Sequence, residues 1–386
     1  MPTAPGFQSF KPVAFEPPFD VAAVRMNIRA FLAERQPAAA PAAHANAWMV
    51  ADRAFSRALG AAGYIGMTWP KRYGGAERHP LERYIVLEEL LAAGAPVGLH
   101  WIADRQSGAL LLRYGTEEQR QRFLPAIARG ELFFCIGMSE PAAGSDLAAV
   151  HTTARRVSGG WLINGQKVWT SHAHHCAVMI ALVRSEGSVR HEGLTQVLIE
   201  LSSPGVTIRP IIDLAGRHDF NEVFFNDVFV PESMLVGTEG RGWSQVTAEL
   251  ALERSGPERY LSSFALLLAF IRRAGSDPDP TSAALIGRLT AELWTLRQMS
   301  MSTAAKLAAG DDPTLEAAMV KDLGNSFEQE IPRAIRAASP GAFNLSEDTD
   351  FARVLSYLLQ VSPSFSLRGG TREILRGIVA KGLGLR

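Results

Sequence analysis

The sequence has no excess of charge of either sign, because 39 Lys and Arg residues balance 39 Asp and Glu residues. Nucleic-acid-binding domains usually carry a basic excess or patch, so nucleic acid is not an expected partner. No run of about 18 apolar residues occurs, and no membrane-spanning helix is predicted. The first twenty residues lack the basic start and apolar core of a secretory signal, which favours a cytoplasmic location.

Cysteine is also scarce. Cys135 and Cys176 each lie in an apolar run and show no metal-like spacing, so no metal site is predicted. Two isolated buried thiols are typical of a reducing compartment. Neither a GxGxxG sequence nor a Walker A sequence is present, which argues against a Rossmann-type cofactor site.

The spacing of the apolar residues divides the 386 residues into three parts. Helical spacing dominates the first part, short alternating runs with Gly, Asn and Asp turns dominate the second, and helical spacing returns after Gly237. We therefore predict an α+β multidomain protein. Its parts are an N-terminal α-helical domain with an extended arm (1–131), a middle β-barrel or sandwich (132–236) and a C-terminal α-helical domain (237–386).

The stretch from Phe133 to Asp146 combines a buried strand with an abrupt turn. Its apolar run predicts a strand, and Pro141 removes a backbone donor and ends it. The small residues that follow allow a close approach to a flat or anionic ligand, and Ser139 and Ser145 supply hydroxyls. An ordinary Ser or Asx turn is the alternative interpretation.

Two further segments have the composition of binding sites. Trp169 and Ser171 stand at the predicted end of a strand, where an indole can pack against an aromatic ligand, although most lone tryptophans belong to the core. Near the C-terminus, Gly369-Gly370-Thr371 opens a helix with Thr371 as its N-cap. A helix N-terminus can bind a phosphate, but a simple capped helix explains the same residues.

Taken together, these segments resemble the acyl-CoA dehydrogenase family of FAD flavoenzymes. The similar segments are SEPAAGSD, KVWTS, GGTREI and the helical-domain landmark WPKRYGG. The resemblance implies a C-terminal domain like a four-helix bundle and assigns positions to individual residues. Those at cofactor-binding positions are Ile136, Met138, Ser139, Ser145, Trp169, Ser171, Thr371 and Glu373, of which Ser145 is also at a substrate-binding position.

The position of the catalytic base departs from the commonest pattern of the family. Many members have a Glu where this chain has Gly369, which cannot act as a base. A minority pattern, found in isovaleryl-CoA dehydrogenase, places the Glu before an Arg on the first helix of the C-terminal domain. Glu253 and Arg254 match it, with Glu253 as the base and Arg254 at a CoA-contacting position. The backbone N–H of Gly369 can still polarise the thioester carbonyl. An ordinary helix Glu paired with Arg259 is the alternative for Glu253.

The resemblance implies desaturation of an acyl-CoA to a trans-2-enoyl-CoA, with electron-transferring flavoprotein as acceptor and a homodimer or homotetramer as the assembly. Two family segments that reach the FAD of a neighbouring subunit, Arg-x-x-Phe and QxxGGxG, are missing at 272–278 and 338–346. The alternatives are therefore a non-catalytic or half-site subunit of a hetero-oligomeric acyl-CoA dehydrogenase, or an acyl-CoA oxidase.

Overall fold

The computed structural model describes residues 10–14, 16–339 and 349–385, apart from the side chains of residues 248–253. Its elements follow the predicted order of helices, strands and helices again. The predicted α+β fold class, with a β region between two helical regions, is confirmed. None of the helices in these ranges is long and apolar enough to cross a membrane.

Seven α-helices precede the first strand in the described part of the chain. The carboxylate of Asp20 caps the first by accepting hydrogen bonds from two backbone N–H groups. Thr116 and Gln119 form a reciprocal capping box at the start of the seventh. The helices are α1 Val21–Arg35, α2 Pro41–Ala45, α3 Arg53–Ala61, α4 Pro80–Ala92, α5 Gly98–Ile102, α6 Gly108–Tyr114 and α7 Glu117–Ala128.

The middle of the chain forms one mixed sheet. Its strands are β1 Phe134–Gly137, β2 Thr153–Val157, β3 Gly160–Ser171, β4 Val178–Ser185, β5 Leu194–Glu200, β6 Val206–Ile211, β7 Phe220–Pro231 and β8 Leu235–Val236. The order across the sheet is β6-β7-β3-β2-β4-β5-β8, and β1 pairs with β4 outside this path. The β1–β4 and β2–β4 pairs are parallel, whereas the remaining strand pairs are antiparallel.

Strands β1 and β2 pair with successive parts of β4. β1 lies along Val178–Ala181, and β2 pairs farther on with Arg184 and Ser185. The connection from β1 to β2 therefore begins beside one part of β4 and ends beside a later part of the same strand. Ala143 and Val150 of this connection belong to the same buried apolar cluster as Leu182 of β4. These two residues thus anchor the connection to the core.

Six helices follow the sheet in the described part of the chain. They are α8 Gly242–Glu253, α9 Phe264–Ala274, α10 Pro280–Ala308, α11 Thr314–Ala338, α12 Asp350–Val361 and α13 Arg372–Gly382. Pro280 occupies the first turn of α10, where its missing N–H costs nothing, and the Asp279 side chain caps that helix. Asp279 and Pro280 together therefore define the start of α10.

The chain divides into two compact units. The helical unit consists of residues 1–48, 79–95 and 251–386, and the sheet unit consists of 49–78 and 96–250. The predicted division into three domains at residues 131 and 236 stays a prediction.

A buried polar network connects α1, α4 and α10 inside the helical unit. The Glu88 carboxylate is 2.6 Å from the guanidinium of Arg297 and 2.5 Å from that of Arg25. The Tyr84 and Tyr260 hydroxyls, both buried, are 2.7 Å apart. Removing one member of such a network would leave a buried charge or hydroxyl without its partner, so the network fixes these helices against one another.

The two cysteines require a correction. They were expected to be isolated and buried, but Cys176 is only half-buried and lies next to the buried Cys135. Burial raises the pKa of the Cys135 thiol, and the adjacent Cys176 thiol raises that pKa further. Both thiols are free.

Candidate active site

The turn after β1 is closed by its own backbone hydrogen bonds. Glu140 N donates to Ala143 O at 2.8 Å, and Ala143 N donates to Glu140 O at 3.1 Å. Pro141 lies between these two residues, where its fixed φ favours the turn. The predicted turn begins at this proline, although β1 itself already ends at Gly137 and not at Pro141.

The carboxylate of Glu140 holds the turn in place from inside the protein. It accepts hydrogen bonds from His151 N at 2.6 Å, Thr152 N at 2.9 Å and the Lys167 ammonium at 2.8 Å. The side chains of Lys167 and Glu140 are only 0% and 4% exposed. Burial alone would raise the pKa of the Glu140 carboxyl, but the Lys167 ammonium and the other donors hold that pKa below its ordinary value.

A second set of hydrogen bonds joins the end of β1 to β3. Val168 N donates to Ser139 O at 2.9 Å, and the Lys167 ammonium donates to Met138 O at 3.1 Å. The segment SEPAAGSD and the segment that contains Trp169 were predicted to contact the same ligand. The structure places these two segments side by side in the sheet unit.

Trp169 is an exposed aromatic side chain at the end of β3. Its side chain is 58% exposed, and its backbone has a φ of 58°, which residues other than glycine rarely adopt. The pairing of β3 with β7 shifts register between Lys167 and Thr170, and such bulges redirect side chains. The indole meets the Phe220 ring edge to face at 6.0 Å. The alternative of an ordinary core tryptophan is therefore wrong.

The remaining predicted cofactor residues of the sheet unit are accessible. Ile136, Met138, Ser139 and Ser171 are half-buried, and Ser145 is exposed on the turn. An exposed indole together with half-buried apolar side chains and hydroxyls offers both the apolar face and the polar groups that a flavin needs. The residues of this unit fit a flavin, and their individual contacts with it stay predictions.

The glycine pair before α13 forms a loop supported from two sides in the helical unit. Gly369 and Gly370 have φ values of 65° and 101°, which favour glycine. Arg254, which is buried, donates to Gly369 O at 3.4 Å, and Lys321 donates to Gly370 O at 3.2 Å. Two cations therefore hold the loop that carries the predicted thioester-polarising N–H. The structure brings Arg254 and Gly369 together, and their roles toward the substrate stay predictions.

Thr371 stands at the predicted N-cap position of α13, but its hydroxyl makes no capping hydrogen bond with that helix. Glu373 lies in the first turn with its carboxylate exposed. Its own backbone N–H and the Thr371 hydroxyl hold the pKa of the Glu373 carboxyl below its ordinary value. The cofactor-binding roles of these two residues stay predictions.

Glu253, the predicted base, is the last residue of α8, and its side chain lies outside the described part of the structure. Its placement directly before the buried Arg254 follows the order that the family pattern requires. Residues 340–348, which cover most of the expected QxxGGxG position, also lie outside the described ranges.

Sequence analysis overlooked Glu140 and Lys167, the pair that joins the two motifs. A signal was present in the alternation of β3, because Lys167 lies on the same side of that strand as the apolar residues Trp161 and Ile163, and all three are buried. A lysine at a buried position of a strand requires a carboxylate partner, and Glu140 provides it.

Comparison with protein families gives two matches in succession. The profile of the acyl-CoA dehydrogenase N-terminal domain matches residues 20–131, and that of the acyl-CoA dehydrogenase middle domain matches residues 135–228. Together they cover more than half of the chain.

Individual relatives agree with the family matches. Acyl-CoA dehydrogenase IpdE1 of Mycobacterium tuberculosis is 35% identical over 341 residues, which cover 85% of this chain and 86% of the relative. The solved structure of the Tcur3481-Tcur3483 steroid ACAD gives a TM-score of 0.84 at 26% identity, covering 95% of this chain and 97% of that chain. The ChsE4-ChsE5 complex from Mycobacterium tuberculosis gives a TM-score of 0.81 at 27% identity, with coverages of 95% and 97%.

Proposed function

The chain belongs to the acyl-CoA dehydrogenase family of oxidoreductases, and we propose that it uses FAD to convert an acyl-CoA thioester to its trans-2-enoyl-CoA. One observation in particular supports this function. The hydrogen bond from Val168 N to Ser139 O joins the two segments predicted to contact the flavin, and the exposed Trp169 stands next to that junction.

In the proposed reaction, Glu253, Gly369 and Arg254 each have a separate role. FAD, when bound, accepts the hydride equivalent from Cβ. Glu253 takes the Cα proton onto its carboxylate, and the Gly369 N–H stabilises negative charge on the thioester oxygen. Arg254 supports the loop by donating a hydrogen bond to the carbonyl oxygen of Gly369. By family resemblance, Arg254 also contacts the CoA portion of the substrate.

The proposed substrates are branched or bulky acyl-CoA thioesters. A base on the first C-terminal helix is the pattern of isovaleryl-CoA dehydrogenase, and one of the similar solved structures is described as a steroid ACAD. The proposed electron acceptor is an electron-transferring flavoprotein. We also place the enzyme in the cytoplasm, where its two free thiols would stay reduced.

Product analysis tests this function directly. The purified protein is supplied with FAD, an artificial electron acceptor and short, branched or steroid-derived acyl-CoA substrates in turn. The expected product has lost two hydrogens and carries the double bond between Cα and Cβ. Unchanged thioester across the panel, in protein that retains FAD, would contradict the proposal. Peroxide formed in air at the rate of product formation would instead identify an acyl-CoA oxidase.

A subunit of a hetero-oligomeric acyl-CoA dehydrogenase is the second candidate. Two of the similar solved structures, Tcur3481-Tcur3483 and ChsE4-ChsE5, are described by pairs of chain names. This chain also lacks the Arg-x-x-Phe segment with which family members reach the FAD of a neighbouring subunit. Size-exclusion chromatography with flavin quantification separates the alternatives. A homodimer or homotetramer with one FAD per chain supports the first function, whereas flavin-free protein that acquires FAD only with a second, related chain supports the second.

A further inference from the structure

Three histidines lie directly after β3, and the structure gathers their rings. One ring nitrogen from each of His172, His174 and His175 lies within 4.8 Å of the others. The backbone makes a tight turn here, because His172 has a φ of 54° and Ala173–His175 forms a single helical turn. This histidine cluster, defined as His172, His174 and His175, belongs entirely to the sheet unit.

His172 is the most constrained member of the histidine cluster. It is 3% exposed, and neither of its ring nitrogens has a hydrogen-bond partner. A buried polar group without a hydrogen-bond partner lowers the stability of the fold by about 1–3 kcal/mol, and a ligand bound to a ring nitrogen of His172 would remove part of this penalty. A Cβ on Gly98 would come within 3.1 Å of His172 Nε2, so the absence of a side chain at Gly98 leaves room for this ring.

Asn221 fixes which nitrogen of His174 is available to a ligand. The buried Asn221 donates from Nδ2 to Thr170 O at 3.1 Å, which leaves Oδ1 as the acceptor on its other side. Asn221 Oδ1 is 3.1 Å from His174 Nδ1 and 2.7 Å from His218 Nε2. His174 must therefore carry its proton on Nδ1, which leaves the lone pair of Nε2 free. Metal-binding histidines are commonly oriented by such a hydrogen bond from their other nitrogen.

From this geometry we propose that His172, His174 and His175 bind one divalent transition-metal ion of the zinc type. Neutral imidazoles suit zinc, copper and nickel, and three of them leave a fourth position for water. Zn–N bonds of about 2.0–2.1 Å in a tetrahedral site separate the nitrogens by about 3.4 Å. The rings of His174 and His175, which are half-buried, would therefore close by about an ångström to bind the ion.

Two guanidinium groups, those of Arg217 and Arg53, lie close enough to the histidine cluster to act on its charge. Of these, Arg217 is paired with Asp219 at 3.0 Å, and Arg53 donates to the backbone carbonyl of His175 at 2.8 Å.

Zinc binding by the flavin-containing protein tests this proposal independently of the proposed oxidoreductase function. The protein is dialysed against a range of zinc concentrations, and bound zinc is measured by elemental mass spectrometry. Wild type, His174→Gln, His175→Gln and a control variant, His151→Gln, are compared. His151 is a suitable control because it is exposed in the sheet unit and lies outside the histidine cluster. Far-ultraviolet circular dichroism confirms that each variant is folded.

Wild type and His151→Gln should bind one zinc per chain with equal affinity, and His174→Gln and His175→Gln should bind it at least about 10-fold more weakly. Zinc bound equally by all four proteins would reveal adventitious surface binding and overturn the proposal. Absence of stoichiometric zinc in wild type would overturn it equally, and would assign the His172 nitrogens to buried water. If His174→Gln fails to fold, zinc binding by His175→Gln still distinguishes these outcomes, because His175 is only half-buried.

Discussion

The ammonium of Lys167 lies 2.8 Å from the carboxylate of Glu140, and both side chains are almost fully buried. This ion pair ties the turn after β1 to β3, immediately before the exposed Trp169. It also accounts for a lysine at a buried position of a strand. The pair contacts no ligand in this account and acts by holding the two predicted flavin-binding segments together.

Removing only one member of this pair should destabilise the protein severely. In Lys167→Met, Glu140 remains as a buried charge, and the expected loss is about 3–5 kcal/mol in the free energy of unfolding. Because Glu140→Gln together with Lys167→Met removes both charges, the double variant should recover part of that loss. Urea unfolding followed by circular dichroism measures each value.

The Arg129–Glu131 pair is a matched control for the buried pair. Its atoms are also 2.8 Å apart, but the two side chains are 58% and 46% exposed. Glu131→Gln should therefore cost less than about 1 kcal/mol. Equal losses in Lys167→Met and Glu131→Gln would show that burial gives the Lys167–Glu140 pair no special importance.

Glu140 should also contribute to the acid sensitivity of the fold. Its folded-state pKa lies below the ordinary value of 4.5, so its contribution is complete above that value and is lost as the pH falls through the folded-state pKa. Between about pH 5.5 and pH 3, wild type should lose more stability than the Glu140→Gln, Lys167→Met double variant. Urea midpoints measured across this range test the difference. Parallel curves would mean that other carboxyls account for the acid sensitivity.

Trp169 should matter for FAD binding far more than for folding. Because the indole is 58% exposed, Trp169→Ala removes little buried surface. If the indole packs against the flavin, its loss should weaken FAD binding about 10-fold, in line with about 0.5–1.5 kcal/mol for an aromatic pair plus the lost apolar contact. Trp294, which is 61% exposed on α10, provides the control. Fluorescence titration of the apoproteins with FAD should separate Trp169→Ala from Trp294→Ala, and equal affinities would remove Trp169 from the cofactor site.

Two glycine substitutions should change stability in opposite directions. Gly369 has a φ of 65°, so Gly369→Ala should destabilise the protein by about 1 kcal/mol and lower turnover by distorting the loop. Gly287 lies inside α10 with open space around a would-be Cβ, so Gly287→Ala should stabilise by about 0.5–1 kcal/mol. Thermal unfolding and steady-state assays measure both effects. Stabilisation by Gly369→Ala would show that the loop readily adopts another conformation.

The order of helical and β regions along the chain was predictable because the sequence patterns that indicate them are local. Apolar spacing, the proline at Pro141 and the capping residue Thr116 each act within a few positions of the chain. The Glu140–Lys167 pair was missed because its members are 27 residues apart and meet only through the pairing of strands. The cysteine prediction failed for a related reason, since β1 and β4 pair in parallel and bring Cys135 close to Cys176.

The histidine cluster shows a different limit of sequence analysis. An extended backbone would place His172 and His174 on one face and His175 on the other, and a helical backbone would separate His174 from His172, so neither regular backbone gathers all three rings. Their convergence depends on the positive φ of His172, and the available nitrogen of His174 depends on Asn221 in β7. Neither dependence can be read from the residues alone.

Glu253 is the central residue of this account, and anaerobic flavin reduction tests its role most directly. Wild type, Glu253→Gln and the control Glu292→Gln, an exposed helical Glu paired with Arg288, are loaded with FAD and mixed with an acyl-CoA substrate without oxygen. Bleaching of the flavin absorption reports the chemical step. Bleaching should be rapid in wild type and Glu292→Gln, and at least about 100-fold slower in Glu253→Gln with FAD still bound. A rate within a few-fold of wild type in Glu253→Gln would show that another group takes the proton.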